Sequence, residues 1–143
     1  MLTERSVPGD LLVHVESLQY CTKSVTIRNT TGSTVTLGDV VGQPLKAGTG
    51  SADYNIAEAG DEANVIALLL DGPIGQCDNE VILDNGYGVN KYQALVHPPA
   101  ILNLNACPVN DVLGIALNWA TIRTALEALK FEFRKEPTNS STL

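Results

Sequence analysis

The side chains able to do chemistry in this chain are few, and their spacing leaves most reactions without a constellation. A nucleophilic triad needs a base held beside a Ser or Cys, and the only histidines are His14 and His97. His14 stands among the aliphatics of Leu11-Leu12-Val13-His14-Val15 and His97 precedes Pro98-Pro99, so both read as structural. Cys21, Cys77 and Cys107 show no Cys-x-x-Cys spacing, which points to neither a zinc site nor a disulfide framework. Three reduced, mostly buried thiols are expected. The acids Asp61 and Glu62, or Asp78 and Glu80, lack the alternating ligand spacing of a calcium loop and read as solvated carboxylates. Gly48-Thr49-Gly50 lacks the strand-to-helix context in which a glycine loop cradles phosphate. No catalytic residue, metal ligand or cofactor is assigned on these grounds.

Charge narrows the partners. The chain has 143 residues with 9 Lys plus Arg against 16 Asp plus Glu, a formal charge of −7. A nucleic-acid binder needs the opposite sign on its docking face, so direct contact with DNA or RNA is not expected. The excess lies between Asp39 and Asp84, where nine acids face Lys46 alone, and it reads as a solvated acidic surface. The longest apolar run, Val65 to Leu70, is only strand length, so no membrane span is expected. Met1-Leu2-Thr3-Glu4-Arg5 lacks the basic start and apolar middle of a signal peptide, and synthesis in the cytoplasm without export is the expectation.

The elements that must position these groups are mostly short strands. With 44% hydrophobic residues the chain can bury one ordinary core. Leu11 to Val15 is apolar and β-branched, Val25 and Ile27 alternate with polar neighbours, and Val35-Thr36-Leu37 resumes the extended pattern up to Gly42 and Pro44. These three predict a small β-meander. From Lys46 to Ala63 the composition turns to Gly, Ala, Ser and acids, which predicts a surface loop with a short ordered turn. Val65-Ile66-Ala67-Leu68-Leu69-Leu70, ended by Asp71-Gly72-Pro73, predicts a strand buried on both faces at the centre of the core. Further strands are expected at Glu80 to Leu83, Tyr92 to Val96 and Ile101 to Leu104. Trp119, Ile122, Leu126 and Leu129 fall at helical steps behind an Asn118 cap, with Arg123 four residues before Glu127. Trp119 is expected to face the core. Phe131-Glu132-Phe133-Arg134 alternates as a closing strand. The fold class is therefore mainly β, with short strands, long loops and one C-terminal amphipathic helix, α+β in content.

Two resemblances bear on function. Asp84-Asn85-Gly86-Tyr87 resembles the Asp-x-Gly-Tyr element of trimeric dUTP pyrophosphatases, in which the Asp activates water and the Tyr stacks on deoxyribose. That family's glycine-rich, arginine-bearing C-terminal arm is missing, and Asp-Asn-Gly is a strong hairpin turn in its own right. A structural turn is the reading adopted, with the nucleotide hydrolase kept as the alternative. The second resemblance runs through the chain in order. Pro8-Gly9-Asp10-Leu11-Leu12, Ser24-Val25-Thr26-Ile27 and Leu37-Gly38-Asp39-Val40-Val41-Gly42 resemble the opening of phage head decoration proteins of the lambda type. Val65 to Asp71, Tyr92 to Ile101, and Ala125 to Lys135 resemble that family's central aliphatic strand, following strand with its kink, and closing helix and strand. Cys77 to Val89 and the long approach Pro108 to Leu117 depart from the pattern.

The resemblance implies a β-clip-like homotrimer on the outer surface of the expanded phage head, at threefold and quasi-threefold positions. There it would cement the shell against the pressure of packaged DNA, as a virion component made in the host cytoplasm. The expected partners are the major capsid protein and further copies of the chain. Residues 1–8 are expected as an extended arm, 9–137 as one decoration-protein domain and 138–143 as a flexible tail. In the arm, Leu2, Thr3, Glu4, Arg5, Ser6, Val7 and Pro8 are the candidate capsid-binding residues, docking as an extended segment on a capsid sheet edge. Pro8, which lacks a donor to continue a ladder, fits the hinge. A small virion or adaptor module of another kind is the remaining alternative.

Overall fold

A computed structural model describes residues 11–15, 17–31, 35–36, 41–73, 82–83 and 91–135. In chain order these form β1 (Leu12–Val15), the single-turn α1 (Leu18–Cys21), β2 (Thr22–Arg28), β3 (Val35–Thr36), β4 (Pro44–Ala47), β5 (Tyr54–Ile56), β6 (Ala67–Pro73), β7 (Ile82–Leu83), β8 (Lys91–Leu95), β9 (Ala100–Asn103), α2 (Trp119–Ala128) and β10 (Glu132–Arg134). Short 3-10 turns lie at Glu62–Asn64 and Leu104–Ala106. The protein is mainly β. Five strands close into a barrel in the order β2-β5-β4-β6-β8, a three-stranded sheet has the order β1-β9-β10, and β3 pairs with β7.

Strand β6 explains how the two larger units become one body. Its side chains alternate by the two-residue period of any strand, yet both faces are buried. Ala67 and Leu69 point into the barrel with Val25, Ile27, Leu45, Ile56, Tyr92 and Ala94. Leu68 and Leu70 point the other way, into a cluster with Leu11, Leu95, Leu102, Ile122, Leu126, Phe131 and Phe133. The wall formed by β6 and β8 thus has the barrel interior behind it and the sheet with α2 in front. Irregular register between β6 and β8, at Leu69/Asp71 and Asp71/Pro73, accompanies this shared wall.

The expected meander is corrected. Strand β1 does not pair with β2; it pairs antiparallel with β9, while β2 pairs with β8 and β5 and β3 pairs with β7. Between β1 and β2 the unexpected turn α1 intervenes, its Cys21 N–H donating to the Ser17 carbonyl at 2.8 Å. Partners so far apart in sequence leave no mark on local periodicity. The loop expected over Lys46 to Ala63 is corrected too, because it contains part of β4 and all of β5. Its low apolar content misled because Asn55 is buried, 4% exposed, and satisfies its amide on Thr49, donating Nδ2 to Oγ1 at 3.1 Å. Gly48 is obligatory in the β4–β5 connection, since an added Cβ would lie 2.1 Å from the Ala52 carbonyl oxygen.

From Asn118 to Arg134 the expected helix and closing strand form, with Leu129 as an exception, and the expected tail 138–143 lies outside the described residues. Asn118 Oδ1 accepts from the Thr121 N–H at 3.2 Å and caps α2. Ile122 and Leu126 face the core, and Arg123 pairs with Glu127 at 3.2 Å. Leu129, expected on the buried stripe, is 42% exposed because the helix has ended at Ala128. There the Phe131 N–H donates to the Leu126 carbonyl and the Lys130 N–H to that of Glu127, a Schellman closure with Phe131 packed in the Leu126 cluster. Strand β10 then runs parallel to β9, so α2 lies within a crossover connection. Lys130 adopts φ 81° in that closure, a conformation costly for any side chain with a Cβ. Lys130→Gly is therefore expected to raise stability by about 0.5–1 kcal/mol, read as a higher urea midpoint, while Lys130→Ala gives no such gain.

Candidate functional site

The acids of the central region do structural work that sequence reading did not foresee. Asp53 accepts from the Thr26 N–H at 2.9 Å and so ties the β4–β5 connection to β2. Asp61 accepts from the Glu58 N–H at 3.0 Å and pairs with Lys46 at 2.9 Å. Burial opposes ionisation of Asp61, but that amide and the Lys46 ammonium together hold its carboxyl below the usual range. Glu62 accepts from the Asn118 N–H at 3.0 Å and from the Gly60 N–H at 2.7 Å, and the Asn118 amide foremost lowers its pKa. Glu58 shifts the other way, raised by burial and then by Asp61, with Lys46 only partly compensating. Asp61 and Glu62, read as merely solvated, are thus corrected to acceptors for loop amides. Asp78 and Glu80 lie outside the described residues, as do Asp39 and Asp84.

Asp111 organises a second feature missed in the sequence. The segment from Val109 to Leu117 is a hairpin closed by the Asn110↔Ala116 bridge and by the Leu117 N–H donating to the Val109 carbonyl at 3.0 Å. The Asp111 side chain, only 5% exposed, accepts at Oδ1 from the Leu113 and Ile115 N–H groups, each at 2.9 Å. At Oδ2 it accepts from the Ala59 N–H at 3.0 Å. One carboxylate therefore shapes the hairpin tip and bolts it to the loop after β5. Trp119 braces the base, half-buried against the core as expected, with its indole N–H donating to the Pro108 carbonyl. On the outside, Val109, Leu113 and Ile115 are 75%, 40% and 54% exposed. The available sequence signal was the spacing of these aliphatics around an Asp-x-x-Gly turn, Asp111 to Gly114.

Among the described residues the candidate nucleophiles and bases do not converge. His14 lies exposed on β1, and the His97 ring stacks on Tyr20 with centroids 4.9 Å apart. Cys21 is buried and its thiol donates to the Pro99 carbonyl at 3.5 Å. Cys107 donates to the Asn103 carbonyl at 3.5 Å, and burial pushes its pKa up to about 12. Both are free thiols, as expected; Cys77 lies outside the described residues. Among the described residues no group of three His, Cys, Asp or Glu side chains is arranged to hold a metal ion. A groove of about 360 Å³ beside α2, lined by Ala63, Ala120, Thr121, Thr124 and Ala125, has no ionisable side chain. Another of about 440 Å³ on the barrel wall brings Lys23, Asp53 and Tyr54 together, with the Tyr54 phenol raised by burial and then by Asp53. Its Asp53 is committed to Thr26.

The candidate capsid-binding residues Leu2, Thr3, Glu4, Arg5, Ser6, Val7 and Pro8 lie outside the described residues, and so does Asp84-Asn85-Gly86-Tyr87. Strand β1 is an outer strand of the three-stranded sheet. No described helix is long and apolar enough to cross a membrane. Fold and surface together define a small mainly-β protein, built on a closed five-stranded barrel, with structural acids and a projecting apolar hairpin. No protein-family model, no curated protein and no solved structure matches the chain.

Proposed function

We propose that this protein is a capsid decoration protein, a homotrimer that binds the outer surface of the expanded phage head at threefold and quasi-threefold positions. It stabilises the shell against the pressure of packaged DNA. The observation that carries this reading is the ordered resemblance to lambda-type decoration proteins; four of its pieces fall on described elements, while Pro8 to Asp10 and Leu37 to Val40 lie outside the described residues. Ser24 to Ile27 lies within β2, Val65 to Asp71 leads into β6, Tyr92 to Ile101 covers most of β8 and the start of β9, and Ala125 to Lys135 covers the end of α2 and β10. In this reading the barrel and the three-stranded sheet form a β-clip-like arrangement. The net charge of −7 is compatible with a position outside the shell, away from the genome.

The major capsid protein is the proposed partner, met by the arm from Leu2 to Pro8 as an added strand on a capsid sheet edge. One arm alone is a weak ligand. Three arms on one trimer make the second and third contacts intramolecular and raise avidity by about 10²–10⁴-fold where the geometry permits. The protein is accordingly expected to co-sediment with expanded empty shells in hundreds of copies, and deleting residues 2–6 should lower apparent affinity by about two orders of magnitude or more. Full-length protein that stays in the supernatant would end the decoration reading; a truncated form that binds undiminished would remove the arm from it.

A further inference from the structure

We propose that Glu58 is a proton-operated latch, which on mild acidification tightens the junction where the loop after β5 holds the Val109 to Leu117 hairpin and the start of α2. The loop makes both connections between Ala59 and Glu62. The Ala59 N–H donates to Asp111 Oδ2 at 3.0 Å, and Glu62 accepts from the Gly60 N–H at 2.7 Å and from the Asn118 N–H at 3.0 Å. Glu58 stands at the head of this run, and its own N–H donates to Asp61 Oδ2 at 3.0 Å. Its side chain is not so well placed: Oε1 is buried and makes no hydrogen bond.

The charges around Glu58 favour its neutral form. Asp61 in the same loop and Asp111 in the hairpin act on it as like charges. Each of these is already satisfied as a carboxylate, Asp111 by the Leu113, Ile115 and Ala59 N–H groups and Asp61 by the Glu58 N–H and the Lys46 ammonium. Lys46, on β4, is the cation that acts on Glu58, but it lies 2.9 Å from Asp61 Oδ2 and is shared with it. Glu62 turns its oxygens to Gly60 and Asn118. On α2, which packs against the turn at Glu62–Asn64, Arg123 and Glu127 pair with each other, and neither acts on Glu58. Burial first and then Asp61 raise the Glu58 pKa, Lys46 opposes them and Asp111 adds to the rise. A buried carboxylate oxygen without a donor is costly, whereas the neutral acid is cheaper to bury and is not repelled by its neighbours. A group whose pKa is higher in the folded chain adds stability in its protonated form; that contribution is complete below the ordinary value of 4.5 and is lost as pH rises through the folded value. Asp61 and Glu62, held below their usual values, have the opposite sense, and their contributions are lost as pH falls through their folded values. Stability is therefore expected to rise as pH falls toward about 5 and to drop below about 4.

Carboxyl-carbon NMR titration of the unaltered full chain reads the proton directly, and the Glu58 midpoint is expected above 4.5. A midpoint at or below that value overturns the proposal. The urea midpoint of the parent should rise between about pH 7.5 and about pH 5, while Glu58→Gln, neutral at every pH, should start higher at the upper end and lose most of the rise. A chain of charge −7 also gains stability on acidification simply because its self-repulsion falls, so Glu132→Gln, which removes one charge from an exposed position on β10, supplies the comparison and should keep the rise. Amide hydrogen exchange locates the effect. Protection at Ala59, corrected for the intrinsic rate at each pH, should increase on acidification by more than protection in β6 in the parent, and by no more than in β6 in Glu58→Gln. A parent midpoint that is flat or falls over this range overturns the latch, as does a rise that Glu58→Gln leaves in place or that Glu132→Gln lowers as much. Ala59 protection that merely follows β6 overturns it too. The latch needs no capsid, and these outcomes leave the decoration reading as it stands.

Discussion

Leu68→Ala and Leu69→Ala should each lower the unfolding free energy by about 3 kcal/mol, within the 2–5 kcal/mol range for truncating a buried leucine. Both side chains are 1% exposed, but they are adjacent on β6 and enter different clusters, Leu68 the layer beneath α2 and Leu69 the barrel interior. A domain of this size has about 5–15 kcal/mol in total, so either change removes a large fraction and the pair should leave little folded protein at 37 °C. Urea denaturation followed by far-UV circular dichroism and by Trp119 fluorescence is the measurement. The fluorescence reports the α2 layer, the dichroism mainly the strands. Because β6 and β8 are shared, both probes should shift together for both variants, in one transition. If Leu69→Ala shifted the dichroism alone and left the Trp119 signal in place, the two clusters would be separate folding units and the shared-wall account would be wrong.

Replacing Asp111 by Ala should cost about 2–4 kcal/mol, although it removes no apolar contact. The carboxylate satisfies three backbone N–H groups from a position 5% exposed, and hydrogen bonds to an ionised acceptor are worth more than neutral ones. Water can reach part of the exposed hairpin, which keeps the loss below the sum of three such bonds. Asp111→Asn retains one side-chain acceptor and should lose about half as much. Amide hydrogen exchange gives the sharper readout: Leu113, Ile115 and Ala59 should lose protection in Asp111→Ala while the amides of β6 and β8 change only by the global amount. Unchanged exchange at Ala59 would show that the hairpin is held to the loop after β5 by something else.

Legibility in the sequence followed the range of the interactions involved. Strand β6 was readable in its buried stretch Ala67 to Leu70, because an unbroken aliphatic run has no polar side to give to water; its bounds were not, since Val65 and Ile66 precede the strand, Ile66 is 36% exposed, and the strand continues through Asp71-Gly72-Pro73, expected to end it. Helix α2 was readable because its apolar period, its Asn118 cap and its Arg123–Glu127 pair each join residues only three or four positions apart. Strands β4 and β5 were not. They are short, and β5 places Asn55 at a buried position, made tolerable by Thr49 and by pairing with both β2 and β4. The pairing of β1 with β9 joins His14 to Ile101, and no local pattern records so distant a neighbour.

The acids show the same division. Composition established a charge of −7 and its concentration in the middle of the chain, which bears on what the protein repels. Composition does not record which carboxylate will meet which amide. Asp111 accepts from Ala59, a residue 52 positions away, and Glu62 accepts from Asn118, 56 positions away. By itself, then, the sequence determined a mainly-β chain with a doubly buried central strand and a capped terminal helix, because side-chain periodicity and capping are properties of neighbours. Only the tertiary structure decided that β6 is a wall between two cores, that several acids are fasteners for loops, and that the approach to α2 is a rigid apolar projection. Those facts depend on which distant groups are brought within hydrogen-bonding or van der Waals reach when the barrel closes.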